Sequence, residues 1–306
     1  MKKFILRLFL FVNLAGFFYI TSLVVWTLSA PSMFNPNVYY NIGGGGHMFS
    51  RLSEVKNQED LDVLFLGASS AYRGFDTRIF SDFGLRTFNL GSSSQTPIQT
   101  KVLLKRYLEK LNPKAVIFAV NPAIFNMDGV ESSCDIIAND KNDLNSLKMA
   151  LRINNIKTYN TLIYGFTRDF MGLNTSFNEP VTKGPDKYVS GGFVETERGF
   201  YQPTQIEEKE ISINPNQLKS FTKIVQMLES KNIELILVYA PIVKDEYRMY
   251  NNIGYFDSLM MSYSKYYNFN EIVSLNDTLH YYDARHLNQN GVSLFNAKLI
   301  EIIYEK

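Results

Sequence analysis

Four short stretches of nearly continuous apolar sequence, interleaved with residues of helical period, constrain this chain more than any other feature. They are DVLFLG (62–67), TFNLG (87–91), KAVIFAVNP (114–122) and IELILVYAP (233–241). A strand with one face in water alternates apolar and polar residues, whereas one buried on both faces reads as an unbroken apolar run. Between the runs, PIQTKVLLKRYLEKLNP (97–113) brings Ile98, Val102, Leu108 and Leu111 near one helical face, with Pro113 just past its end. PNQLKSFTKIVQMLESKNI (215–233) repeats the period with Leu218, Phe221, Val225 and Leu228. A last helix is expected from about Gln289 to Ile303, and EIVSLND (271–277) is expected as a short fifth strand. Alternating strands and helices imply an α/β fold, with a parallel sheet between two layers of helices.

The N-terminus, MKKFILRLFLFVNLAGFFYITSLVVWTLSAP, carries Lys2, Lys3 and Arg7 and then an uncharged apolar run from Leu8 to Leu28. About 20 such residues cross a bilayer as a helix. Signal-peptide cores are shorter, and Pro31 directly after Ala30 makes a poor cleavage site. Residues 1–30 therefore read as an uncleaved transmembrane anchor. Positive charge before the span, with no comparable cluster after it, places the N-terminus in the cytoplasm and the body outside, with Trp26 at the outer interface.

Pro31 to about Val55 reads as a tether, within a linker spanning 31–60, because it holds Pro31, Pro36 and the run Gly43–Gly46. No strand precedes those glycines and no Lys-Ser/Thr follows, which excludes a phosphate loop. Residues 61–306 form the expected domain. Between Ala123 and Asn214 the pattern weakens, with one helix expected around Leu144 to Ile163. Structureless loops of that length are uncommon in compact domains, so 123–214 reads as an inserted cap.

Charge and cysteine content exclude several classes. The formal net charge of +1 leaves no basic excess for a nucleic-acid surface. A single cysteine, Cys134, permits neither an intrachain disulfide nor a thiolate zinc cluster, and it reads as an unremarkable thiol. No metal and no cofactor are expected.

In open α/β sheets, ligands bind outside the carboxyl ends of the strands. The residues there are Ser69 and Ser70 after the first run, Gly91 and Ser92 after the second, and Asn121 after the third. YYDARHLNQNG supplies Asp283 and His286 just before the last helix. A serine hydroxyl becomes a nucleophile when a base removes its proton, and histidine is the usual base near neutral pH. A carboxylate commonly fixes the imidazole tautomer. Ser69, His286 and Asp283 are the candidate catalytic residues, with Ser70 as the spare serine and His280 read as structural. The Ser69 amide, the Gly91 amide and the Asn121 side chain are candidate oxyanion donors. Arg73 and Arg285 are candidates for meeting an anionic glycan, beside the plainer reading of each as a solvated charge.

FLGASS, FNLGSS, AVNP and DARHLNQNG, in this order and spacing, resemble the four blocks of the SGNH (GDSL-like) hydrolase superfamily. The resemblance covers about Leu61 to Asn121 and Ile233 to the end, leaving the insertion unmatched. It implies a flavodoxin-like three-layer sandwich, with the nucleophile at Ser69, the second-block glycine at Gly91, the third-block asparagine at Asn121 and the Asp-x-x-His at Asp283 and His286. Ala68 stands where the family usually has aspartate, and Pro122 follows Asn121 where many members have aspartate. Both departures resemble the membrane-anchored proteins of cell-wall and exopolysaccharide acylation, which include the D protein of teichoic-acid D-alanylation and the alginate O-acetylation proteins. SSAYRGFD, ERGFYQP (197–203) and YDARHLNQNG are similar to that branch. The resemblance implies an acyl group accepted on Ser69, passed to an extracellular glycan hydroxyl, and delivered by a membrane-bound O-acyltransferase partner. The alternative is a non-catalytic subunit that keeps the fold, grips a glycan and holds the acyltransferase, which the replacement at Ala68 keeps open.

Overall fold

The apolar runs become strands of one parallel sheet in a computed structural model that describes residues 1–202 and 207–305. Residues 203–206 of the insertion, including the last residue of ERGFYQP, and Lys306 at the end of the domain lie outside the described residues. The strands are β1 (Val63–Gly67), β2 (Thr87–Asn89), β3 (Ala115–Ala119), β4 (Glu234–Tyr239) and β5 (Lys265–Asn268). Their spatial order is β2-β1-β3-β4-β5 and every neighbouring pair is parallel. That is the flavodoxin-like order, and the expected α/β class holds.

The principal helices are α1 (Lys2–Ser29), α2 (Met48–Glu54), α3 (Ser69–Tyr72), α4 (Thr77–Asp82), α5 (Pro97–Leu111), α6 (Pro122–Asn126), α7 (Leu144–Ile153), α8 (Ile156–Phe170), α9 (Pro215–Glu229) and α10 (Gln289–Tyr304). Successive strand residues point to opposite faces of the sheet. Val63, Phe65, Ile117, Ile236 and Val238 pack with Phe75, with Phe80 of α4 and with Phe295 and Leu299 of α10. Leu64, Leu66, Val116, Phe118 and Leu237, of the opposite parity, are also fully buried. Phe118 meets Phe221 of α9 at 5.7 Å between ring centroids. Each such side chain contributes about 1.5–3 kcal/mol on full burial. Both faces are covered, which leaves the strand ends for chemistry.

The chain forms two compact units, Met1–Ile42 with Ser133–Asn178, and Gly43–Ser132 with Glu179–Lys306. The first holds α1, α7 and α8. Helix α1 is long and apolar enough to cross a membrane, and none of its residues is buried. The second unit holds the sheet and a small antiparallel sheet made of Thr182–Lys183, Asp186–Val189 and Phe193–Thr196. The insertion is thus divided between the two units.

Three expectations are corrected. The fifth strand is Lys265–Asn268, not 271–277, where one helical turn (Phe269–Ile272) runs into a loop. As an edge strand it is only partly buried, so it never needed an apolar run. The helix expected over Leu144–Ile163 is two helices, because Asn154 adopts φ +52° and Asn155 caps the second by accepting from the Lys157 amide. The second half of the tether is folded structure in the second unit, where Met48, Leu52 and Val55 are buried. Gly46 (φ +65°) lies where a Cβ would stand 2.5 Å from the Tyr72 ring, and the Gly43 and Gly44 carbonyls accept from Lys183 Nζ at 2.6 and 2.8 Å. Those glycines serve close approach rather than flexibility.

The end of β1 is a crowded turn. Gly67 has φ +139°, and a Cβ there would lie 2.8 Å from the Ala119 carbonyl oxygen and 2.9 Å from its Cβ. Gly84 also has positive φ, but a Cβ there would meet nothing within 4 Å. Gly67→Ala should therefore cost about 1–3 kcal/mol through overpacking on top of strain, and Gly84→Ala clearly less. Urea midpoints of the two variants check this, and equal shifts would contradict the crowding.

Candidate active site

Ser69 opens α3 directly after β1. Its position follows from Gly67, whose backbone lets the chain leave the sheet sharply, and from Ala68, which is extended at φ −83° and ψ −153°. As the first residue of a helical turn, Ser69 has a backbone N–H without an intrahelical acceptor. Asn89, at the end of β2, locks this turn from below. Its side-chain amide donates to the Ala71 carbonyl at 2.8 Å, and its Oδ1 accepts from the Gly91 amide at 3.1 Å.

The other half comes from the hairpin of Tyr281–Asp283 and His286–Leu287, which are paired antiparallel just before α10. His286 Nε2 stands 2.7 Å from Ser69 Oγ, and His286 Nδ1 stands 2.9 Å from both Asp283 carboxylate oxygens. A proton on Nδ1, donated to Asp283, leaves Nε2 as an acceptor for the serine hydroxyl. Burial pushes the Asp283 carboxyl up, but its contacts with His286 and with the Arg285 and His286 amides outweigh this and hold it below the usual carboxylate range. The Arg285 amide donates to Asp283 Oδ1 at 2.8 Å. Asp283 therefore stays ionised wherever a neutral imidazole can act as a base.

The remaining candidates separate. Asn121 caps α6, with its Oδ1 accepting from the Ile124 amide at 3.2 Å and Pro122 in the first helical turn. Its Nδ2 is left for the cavity it lines beside Ser69. Gly91 is a correction, since its amide is already engaged by Asn89 and it does not line that cavity. A Cβ there would sit 3.0 Å from the Gly67 carbonyl oxygen and 3.1 Å from that of Ala68, so its part is to let β2 approach the serine turn. Arg73 is a second correction. It is buried and pairs with Asp186 through two hydrogen bonds of 3.0 and 2.7 Å, so its charge is spent inside the protein. Arg285 does line the cavity, but its Nε donates to the buried Glu246. Ser70 also lines the cavity, yet its Oγ makes no hydrogen bond, and the imidazole is bonded to Ser69. His280 Nδ1 accepts from the Asn276 amide at 2.8 Å, a structural contact. Burial raises the Cys134 thiol. Among the described residues, no three His, Cys, Asp or Glu side chains converge as a metal site.

Sequence reasoning missed three residues around His286. The Tyr282 ring stacks on the imidazole, 5.5 Å between centroids and 7° from parallel. The Arg73 and Arg198 guanidinium carbons lie 5.9 and 5.2 Å from the Tyr282 centroid, within cation–π range. Asp186, on the small antiparallel sheet, meets both arginines at 2.7 and 3.6 Å. Burial pushes the Asp186 carboxyl up, but Arg73 outweighs that and holds it low. No periodicity announces these contacts, because Asp186 and Arg198 come from the segment of weakest pattern.

The cavity beside Ser69 measures about 230 Å³, and Ile124, Met127, Ala240, Ile242 and Tyr250 give it a largely apolar wall. No family model matches the chain, and no curated protein matches it. Two solved structures are similar to it. One is a protein from Bacteroides fragilis described as a "putative acylhydrolase", 11% identical, covering 87% of this chain and 99% of its own at a TM-score of 0.42. The other is a GDSL-like lipase from Bacteroides thetaiotaomicron, 9% identical, covering 82% and 90% at a TM-score of 0.38. Both are distant likenesses.

The stack on His286 carries a prediction. Replacing Tyr282 with Leu should lower kcat for a small activated ester by about 10- to 100-fold through misorientation of the base, with KM unchanged. Tyr282→Phe, which keeps the ring, should stay near wild type. Steady-state kinetics on the two variants check this, and equal losses would show that the hydroxyl rather than the stack matters.

Proposed function

We propose that this protein is an SGNH-type serine O-acyltransferase or esterase, anchored in a membrane through α1, with its main domain extracytoplasmic and a cell-surface polysaccharide or cell-wall polymer as acceptor. The observation that carries the chemistry is the contact of His286 Nε2 with Ser69 Oγ, with Asp283 on the other ring nitrogen.

In this reading Ser69 Oγ attacks the acyl carbonyl carbon while His286 Nε2 takes the hydroxyl proton. The tetrahedral oxyanion is met by the Ser69 amide and Asn121 Nδ2, donors of the kind that each contribute about 100- to 1,000-fold in rate. Collapse expels the leaving group, which receives the proton from His286, and the acyl group remains on Ser69. An acceptor hydroxyl then gives its proton to His286 and attacks the acyl carbon; the bond to Ser69 Oγ breaks, the acylated acceptor leaves, and His286 returns the proton to Ser69 Oγ. Water in the same place gives hydrolysis.

The cavity size supports this division of labour. At about 230 Å³ it is smaller than the roughly 300–1,000 Å³ pockets that enclose drug-sized ligands. It suits an acyl group, while a sugar would stay at the mouth near Arg285. The order of the four sequence blocks and the apolar α1 support the anchored acylation branch, and a membrane-bound O-acyltransferase would be the natural acyl supplier in that setting.

The test compares wild type with Ser69→Ala, each given an activated acyl ester with and without a neutral oligosaccharide. Ester consumption and acylated sugar are both measured by mass spectrometry. Wild type should consume the ester, and Ser69→Ala should lose about 10⁴-fold or more of that rate. Acylated sugar in the presence of oligosaccharide identifies transfer, and free acid alone identifies hydrolysis. Equal turnover in the two proteins would overturn the serine mechanism and favour the non-catalytic glycan-binding subunit.

A further inference from the structure

Helix α8 belongs to the same compact unit as α1 and packs against it. The Tyr19 hydroxyl donates to Asn160 Oδ1 at 2.6 Å, and Leu23, Val24 and Thr27 of α1 are partly covered while the residues around them are exposed. Whatever depth Tyr19 has in a bilayer, Asn160 shares it. Tyr19 lies nine residues before Leu28, the end of the apolar run, or about 14 Å along a helix that rises 1.5 Å per residue. The run is only just long enough for a hydrocarbon core of about 30 Å. Its outer half therefore cannot be withdrawn from the lipid to make room for α8 without leaving the span too short.

The exposed surface of α8 resolves this conflict. Ile156, Ile163, Phe166 and Phe170 recur at helical spacing on the side that carries Asn160, with Ile156, Phe166 and Phe170 exposed by 54%, 41% and 92%. Three large apolar side chains this open are costly in water and favourable in acyl chains. Asn160 on this side, and Thr161, Leu162 and Gly165 on the rest of the wheel, are buried inside the unit. Two of the three charges on this helix are turned to protein partners, Arg168 onto Asn174, Tyr164 and the Leu173 carbonyl and Asp169 onto Asn142, while Lys157 stands at the first turn beside Ile156.

We propose that α8 is a second membrane contact. It lies beside the C-terminal half of α1, in the same leaflet, with its Ile156–Phe170 face against lipid acyl chains at the depth that Tyr19 sets. This rests on the reading of α1 as a membrane anchor. The insertion then does two things: α8 adds a lipid contact beside the anchor, and its later strands reach the arginines that lie on the Tyr282 ring.

The chain has one tryptophan, Trp26, which makes depth measurable in the full-length protein. Wild type and a Trp26→Phe/Phe166→Trp variant are reconstituted into phosphatidylcholine vesicles, with and without bromine on the upper acyl chain. A Trp26→Phe/Phe170→Trp variant guards against a local folding defect at one site. Tryptophan at 166 or 170 should lose most of its emission in brominated vesicles and resist aqueous iodide. Quenching by iodide alone, with Trp26 still quenched by bromine, would overturn the proposal and leave the anchor standing. Protection from both quenchers would mean that protein rather than lipid covers the face, and would also overturn it. Failure of wild type to associate with vesicles would overturn the anchor reading itself.

Discussion

The hydrogen bond between Ser69 Oγ and His286 Nε2 joins positions 217 residues apart and organises the rest of the second unit. Ser69 needs the turn at the end of β1. That turn needs Gly67 without a Cβ, Gly91 close enough to touch the Gly67 and Ala68 carbonyls, and Asn89 bonded to both Ala71 and Gly91. His286 needs its hairpin held against the sheet, where Tyr281, Leu287 and Val292 enter the same apolar core as Phe65 and Phe75. A parallel sheet brings successive strands to one edge in the same direction, so residues far apart in sequence meet there without long loops.

The electrostatic arrangement around the histidine is layered. Asp283, on one ring nitrogen, is held ionised by His286 and two backbone amides. Tyr282 lies flat on the imidazole, and of the two arginines against that ring Arg73 is held by Asp186 at 2.7 Å, with Arg198 3.6 Å from the same carboxylate. In a medium of low dielectric an uncompensated arginine near His286 would disfavour a charged imidazole. The pairing with Asp186 offsets one of the two charges and links the small antiparallel sheet to the site.

Much of this was legible in the sequence where one physical signal dominated. Burial on both sides gave unbroken apolar runs for β1, β3 and β4, and helical period marked α5 and α9. Ser69, Asp283 and His286 could be grouped from the sequence because a serine, a carboxylate and a histidine fall at the carboxyl ends of the strands, while Asn121 also serves as the cap of α6. Signals that depend on three-dimensional neighbours were not legible. The edge strand Lys265–Asn268 has no apolar run because one side is open. Gly43–Gly46 looked flexible, since sequence cannot distinguish a glycine that permits motion from one that makes room for Tyr72. Arg73 looked available because its partner Asp186 stands 113 residues away, and Gly91 looked like a donor because Asn89 gives no hint that it takes that proton.

The central claim is that Ser69, His286 and Asp283 act as one proton-handling unit. The most direct test is the rate of covalent capture by a small fluorophosphonate, with the modified residue mapped by peptide mass spectrometry in wild type and in His286→Ala. The account predicts a single adduct on Ser69 in wild type, and capture slowed by at least about 10³-fold without the histidine. An adduct on Ser70, or capture at the same rate in both proteins, would contradict it.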